Sequence, residues 1–154
     1  MLTYGFGQVD PYQQKTNYTC SAASLLAVLK HYEINGWTEE TLSDLIGTTP
    51  NNGASSNQVV NAARRLGFTA VERRFDTIAQ AKEFTDRGIP IIALVHSFIR
   101  PGGWHFVVIT DVSPSLVTMM DPNVSGNVRV LSYPEMLARW STWQGYRFGI
   151  VVAR

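Results

Sequence analysis

Between residues 20 and 32, Ala22, Leu25, Leu26, Leu29 and Tyr32 recur three or four positions apart. That spacing predicts an α-helix. It is apolar on most sides, which places it centrally in the core. Residues 1–19 lack such a period and read as an irregular lead-in, with Pro11 and several Gly, Gln and Asn residues. Gly36 ends the first unit. Thr38 is expected to cap a second helix, with Glu39 and Glu40 in its first turn, Leu42, Leu45 and Ile46 inward, and Gly47 at its close. A loop covers 48–54. Ser55 or Ser56 then opens a third helix through Val59, Val60, Ala63 and Leu66, ended by Gly67. Residues 69–75 read as a short strand. Residues 77–87 read as a fourth helix, with Ala81 and Phe84 inward and Gly88 as its stop.

From residue 90 the pattern changes. Short apolar runs at 90–95, 105–112, 116–120, 128–131 and 148–153 predict strands, with turns at 100–103 and 113–115 and a loop at 121–127. One further helix is expected at 133–143, where Pro134 suits a first turn. Helices come first and strands afterwards, joined by hairpin-length connections. The fold class is therefore α+β, with an N-terminal helical part packed on a C-terminal antiparallel sheet. No repeat, low-complexity tract or linker interrupts the chain, so 1–154 is expected to be a single domain.

Composition narrows the function. The chain has 154 residues, 45% of them hydrophobic and 16% charged, which suits a globular core and not a disordered chain. A net charge of +1 gives no electrostatic case for nucleic acid or an anionic membrane. The N-terminus has no signal-length apolar run, and no apolar run is long enough to span a bilayer, so a soluble protein is expected. A lone cysteine excludes an intramolecular disulfide and a multi-cysteine zinc site, and makes a reducing compartment the simplest setting. Neither a cofactor nor a metal is called for.

That cysteine, Cys20, stands where the lead-in becomes the first helix. Unpaired N–H groups and the positive end of the macrodipole favour a thiolate at such a place. A nucleophilic cysteine needs a base, and three histidines are available. His31 lies eleven residues along the same helix, roughly 16 Å away along its axis, so it is out of reach. His96 follows a strand and can face either way. His105 is better placed: Gly102, Gly103 and Trp104 precede it, and it opens the strand His105-Phe106-Val107-Val108-Ile109. A hairpin centred near residue 113 sets His105 directly opposite Asp121, where a carboxylate can hold the imidazole while its other nitrogen faces the thiol. The Cys20 backbone N–H is one donor for an oxyanion; Gln13 and Gln14 are both candidates for a second.

Taken together, these residues resemble the papain-like cysteine peptidases of the bacteriocin-processing, double-glycine leader type. The resemblance rests on Gln14 six residues before Cys20, on Cys20-Ser21-Ala22-Ala23-Ser24-Leu25, on His105-Phe106-Val107-Val108, and on Asp121-Pro122 sixteen residues after the histidine. Thr19 and Ser21 stand where the family commonly has Asp and Gly. The resemblance implies the papain-like fold, with Cys20 as nucleophile, His105 as general base and acid, Asp121 as the group orienting it, and Gln14, over Gln13, as oxyanion donor. It also implies cleavage after Gly-Gly in a protein or peptide substrate, with Trp104 as a candidate wall of the substrate channel. Such domains are usually fused to an ATP-driven exporter, and no such segments follow here. A free-standing bacterial toxin or effector, delivered into a target cell and held in check by an immunity protein, is therefore expected, with a stand-alone leader-processing peptidase as the alternative. The same triad also serves deamidases, amidases and transpeptidases, and a binding module without turnover is the non-catalytic alternative.

Overall fold

The computed structural model describes residues 20–49, 54–96, 104–121, 128–140 and 146–154. In chain order these form α1 (Cys20–His31), α2 (Glu39–Ile46), α3 (Ser56–Arg65), β1 (Thr69–Arg74), α4 (Ile78–Thr85), β2 (Ile91–His96), β3 (Trp104–Val112), β4 (Leu116–Met120), β5 (Val128–Ser132), α5 (Tyr133–Arg139) and β6 (Phe148–Ala153). The strands make one six-stranded sheet in the order β1-β6-β2-β3-β4-β5. Every neighbouring pair runs antiparallel.

Local chemistry sets the helix ends. Thr38 caps α2 and exchanges bonds with Thr41 in a capping box, and Gly47 closes the helix in the left-handed region at φ 88°. Ser55, not Ser56, caps α3, its box completed by Gln58. Thr77 caps α4, and Ser132 with Glu135 caps α5, where Pro134 occupies the first turn. The fourth and fifth helices stop earlier than the apolar pattern predicts, at Thr85 and Arg139.

Helix α1 is the centre of the first core. Residues 21–29 are all buried, so its apolar surface has no solvent side. Leu25 and Leu29 pack with Leu42 of α2, Val59 of α3 and, from the sheet, Ile92, Phe106, Val108, Met120 and Ile150. Two polar contacts hold the helix to the strands. Ser24 Oγ donates to the Phe106 carbonyl at 3.4 Å, and Tyr32 Oη donates to the Val152 carbonyl at 2.7 Å.

The opposite face of the sheet carries a second core that the helices-then-strands pattern does not foretell. Phe75, Ile78 of α4, and Met136 and Trp140 at α5 pack there on Ile91, Val95, Val107, Ile109 and Met119. Trp140 Nε1 donates to the Phe148 carbonyl at 2.9 Å, so its one polar atom is satisfied. Helices thus cover both faces. Gly149 in β6 is required by close approach: a Cβ there would lie 2.6 Å from Ile91 Cγ2 and 3.0 Å from Phe75 Cε2. Among the described residues, no helix is long and apolar enough to cross a membrane.

Candidate active site

Strands β3 and β4 form the hairpin expected from the sequence, in a different register. Val112 pairs with Val117 and Asp111 with Thr118; a bulge follows, after which Ile109 pairs with Met119 and Val108 with Met120. Continuing that register sets Asp121 opposite Val107. His105 is therefore two residues further along the same face, a diagonal neighbour and not the directly opposed one that a turn centred at residue 113 implies. The extra residue of the bulge and the exact turn centre decide this, and neither shows in the apolar pattern. Diagonal positions are about 7–8 Å apart at the backbone, within reach of long side chains. The imidazole spans the gap: His105 Nε2 lies 3.3 Å from Asp121 Oδ1.

Both groups are inside the protein. His105 is 5% exposed and Asp121 is 0% exposed. A carboxylate shut away from water needs charged or hydrogen-bonding partners. Asp121 has a second one that the sequence reading missed. Arg129 Nε donates to Asp121 Oδ2 at 3.1 Å. Arg129 sits on β5 opposite Met119, so it too is diagonal to Asp121, from the other side. The only sequence signal was a cation inside the apolar run Val128-Arg129-Val130, and nothing there tied it to residue 121.

Cys20 opens α1. The backbone amide of Phe106, the residue after His105, lies near enough to the Cys20 sulfur to favour the thiolate. Ser24, one turn along α1, bonds the carbonyl of the same Phe106. In a strand, the N–H and C=O of one residue point to the same side. β4 ends at Met120, opposite Val108, and at Phe106 that flank of β3 meets the first turn of α1. This seats the thiol beside the start of β3, close enough to Asp121 to feel its charge.

The environment of the thiol differs from the sequence expectation. Burial is the largest influence and pushes the Cys20 thiol above its ordinary value. The amides of Phe106, Ser21 and Cys20 pull the other way, and the Asp121 charge adds to the rise. The helix start does favour the thiolate, but desolvation outweighs it.

The other candidates fall as follows. His31 stands at the far end of α1 and donates from Nε2 to the Gly88 carbonyl at 2.9 Å. His96 is the last residue of β2, paired with Trp104 at the start of β3. The side chain of Trp104, and Gln13 and Gln14 entirely, lie outside the described residues.

Comparison with known proteins places this geometry in a family. Residues 8–145 match the Peptidase C39 family. The chain is 28% identical over 137 residues to the lactococcin transport/processing ATP-binding protein LcnC-like of Lactococcus lactis subsp. lactis (strain IL1403). That match covers 83% of this chain but only 18% of the length of that relative. The fold is shared with the peptidase domain of Streptococcus ComA, a bi-functional ABC transporter involved in a quorum sensing pathway. There the TM-score is 0.75 at 23% identity, over 96% of this chain and 98% of the other. It is also shared with a double glycine motif protease from an AMS/PCAT transporter, solved in complex with the leader peptide. That comparison gives a TM-score of 0.74 at 22% identity, over 99% of this chain and 97% of the other. With the matched region running from before α1 through β3 and β4, this chain belongs to the peptidase C39 family and is a cysteine peptidase.

Proposed function

We propose that this chain cleaves a peptide bond after a Gly-Gly pair in a leader-type segment, through an acyl-enzyme on Cys20. The observation that carries the reading is the buried His105–Asp121 pair, at 3.3 Å, one residue along β3 from Phe106, whose carbonyl is bonded by Ser24 in the first turn after Cys20. Nε2 of His105 faces Asp121, which leaves Nδ1 for the thiol. His105 takes the thiol proton as sulfur attacks the scissile carbonyl carbon. The resulting imidazolium is stabilised by the Asp121 carboxylate. The tetrahedral oxyanion is met by the Cys20 backbone N–H at the start of α1 and by the side-chain amide of Gln14. The C–N bond then breaks, and His105 returns the proton to the leaving amine. Water, deprotonated by the same imidazole, hydrolyses the thioester and frees the thiol.

Burial of the thiol fits this division of labour. A sulfur that resists ionising alone depends on its base, so the nucleophile forms when substrate is engaged. Trp104 precedes the base and is assigned to the wall of the channel that admits the narrow Gly-Gly segment. The whole of residues 1–154 acts as one catalytic unit in this reading.

Leader processing is favoured over delivery as a toxin because a relative on this fold was solved with a leader peptide, whereas the toxin reading, with its immunity protein and reducing target compartment, rests on chain size and the lone cysteine. Deamidase, amidase and transpeptidase chemistry would need the same residues. The test is mass spectrometry of the protein mixed with a synthetic leader peptide carrying Gly-Gly. A thioester adduct on Cys20 and two peptide fragments are expected, both lost in Cys20→Ala. A mass change of about one unit without cleavage would mean deamidation, and unaltered turnover in Cys20→Ala would overturn thiol catalysis.

A further inference from the structure

We propose that Arg129 is a positioning residue for this reaction: its guanidinium fixes the Asp121 carboxylate so that Oδ1 stays aimed at His105 Nε2. The inference rests on the catalytic roles proposed above and adds a residue to them. Three observations carry it. Asp121 is fully buried, and its two oxygens are divided, Oδ1 at 3.3 Å from His105 and Oδ2 at 3.1 Å from Arg129. The two partners approach from opposite neighbouring strands, both diagonally: His105 from β3 and Arg129 from β5, two residues off the positions that face Asp121. A carboxylate with a partner at each oxygen cannot turn about its Cβ–Cγ bond without lengthening one of the two contacts. Finally, Asp121 comes directly after the last residue of β4, where the strand ladder no longer holds it, so side-chain contacts must set its orientation.

Arg129 is 27% exposed at its side chain. It keeps part of its guanidinium in water while the Nε–H reaches inward, so its own desolvation is limited. Loss of Arg129 would leave Oδ2 buried without this cation. The carboxylate would then be free to turn and share His105 between both oxygens, and the ring would lose its fixed orientation. Small misplacements of this kind cost up to about 100-fold in rate.

The test is a double-mutant cycle on the full chain, read with a synthetic peptide ending in Gly-Gly joined to aminomethylcoumarin. Arg129→Ala is expected to lower kcat about 10–100-fold with KM within about twofold. In an Asp121→Ala background the same substitution is expected to cost nothing further, because its effect runs through the carboxylate. Arg129→Lys is expected to recover most of the loss. The contact uses Nε, which lies on the stem, and a lysine ammonium reaches that point. Equal losses in both backgrounds, an effect on KM alone, or no loss with Asp121 present would overturn the inference while leaving the triad standing. Full activity in Asp121→Ala would overturn the triad and this inference together. Circular dichroism checks folding; if Arg129→Ala does not fold, Arg129→Lys against Arg129→Gln decides, with Lys expected active and Gln impaired. If the peptide is not turned over, the iodoacetamide reaction rate of Cys20 at pH 7 is read in the same cycle, with the same outcomes.

Discussion

The two halves of the site are built by opposite physics. The sulfur half is held by packing. Cys20 opens a helix whose next nine residues are all buried, and burial pushes its thiol toward the neutral form. The carboxylate half is held by charge. Asp121 is hidden more fully than the half-buried Cys20, yet it is flanked by an imidazole and a guanidinium. One half keeps charge out and the other keeps it in place. The lesson is that withdrawal from water has opposite consequences, depending on whether charged partners are supplied. A reaction that starts with a neutral thiol and ends with a cationic ring beside a fixed anion uses both conditions.

Substitutions can break that contrast in order of expected effect. Cys20→Ala and His105→Ala should each remove cleavage almost wholly, by about 10³-fold or more, measured as peptide turnover. Asp121→Ala should lower kcat by about 10²–10⁴-fold, because it removes the group that orients the ring and stabilises its charge. Residual activity close to that of the intact chain would show that His105 is held by other contacts.

The packed half predicts a different response. Leu25→Ala in α1 should cost about 2–5 kcal/mol of stability, read as a denaturant midpoint shift, since Leu25 is 0% exposed. At temperatures where the variant stays folded, the His105–Asp121 pair should be unaffected. Gly149→Ala sharpens the comparison on the far face of the sheet. Its Cβ would crowd Ile91 and Phe75, so a loss of about 1–3 kcal/mol is expected, with kcat unchanged. The smallest effect belongs to Ser24→Ala. It removes the 3.4 Å bond to the Phe106 carbonyl and should cost about 1 kcal/mol. Its catalytic effect should be a few-fold at most, because the Phe106 amide beside the sulfur is left in place.

Much of this was legible in the chain itself, and the limits have physical causes. Helix starts are encoded locally, so Thr38, Thr77 and the region of Ser55 could be read directly; the choice between Ser55 and Ser56 needed the geometry of the box with Gln58. Strand positions were readable because apolar runs bounded by turn residues are local too. The register of the β3–β4 hairpin was not, since the bulge between Ile109 and Asp111 is a matter of one residue. His105 and Asp121 still meet because a register error of two keeps both on the same face. The state of the thiol could not be read either: the helix start is a local signal, but the burial that outweighs it comes from strands more than eighty residues away. Arg129 was hidden for a similar reason. Its partner lies eight residues earlier in the chain, and only the sheet brings the two together. Gln14 and the side chain of Trp104 remain expectations from the resemblance.

The pH dependence of Cys20 alkylation tests the central claim most directly. A thiol raised by burial, and without a base, stays neutral until the pH exceeds its elevated value. His105→Ala should therefore react with iodoacetamide only at pH values above the ordinary thiol range. The intact protein should react at lower pH than this variant, because the imidazole can take the proton as the sulfur attacks the reagent. Profiles that coincide for the two proteins would contradict the account.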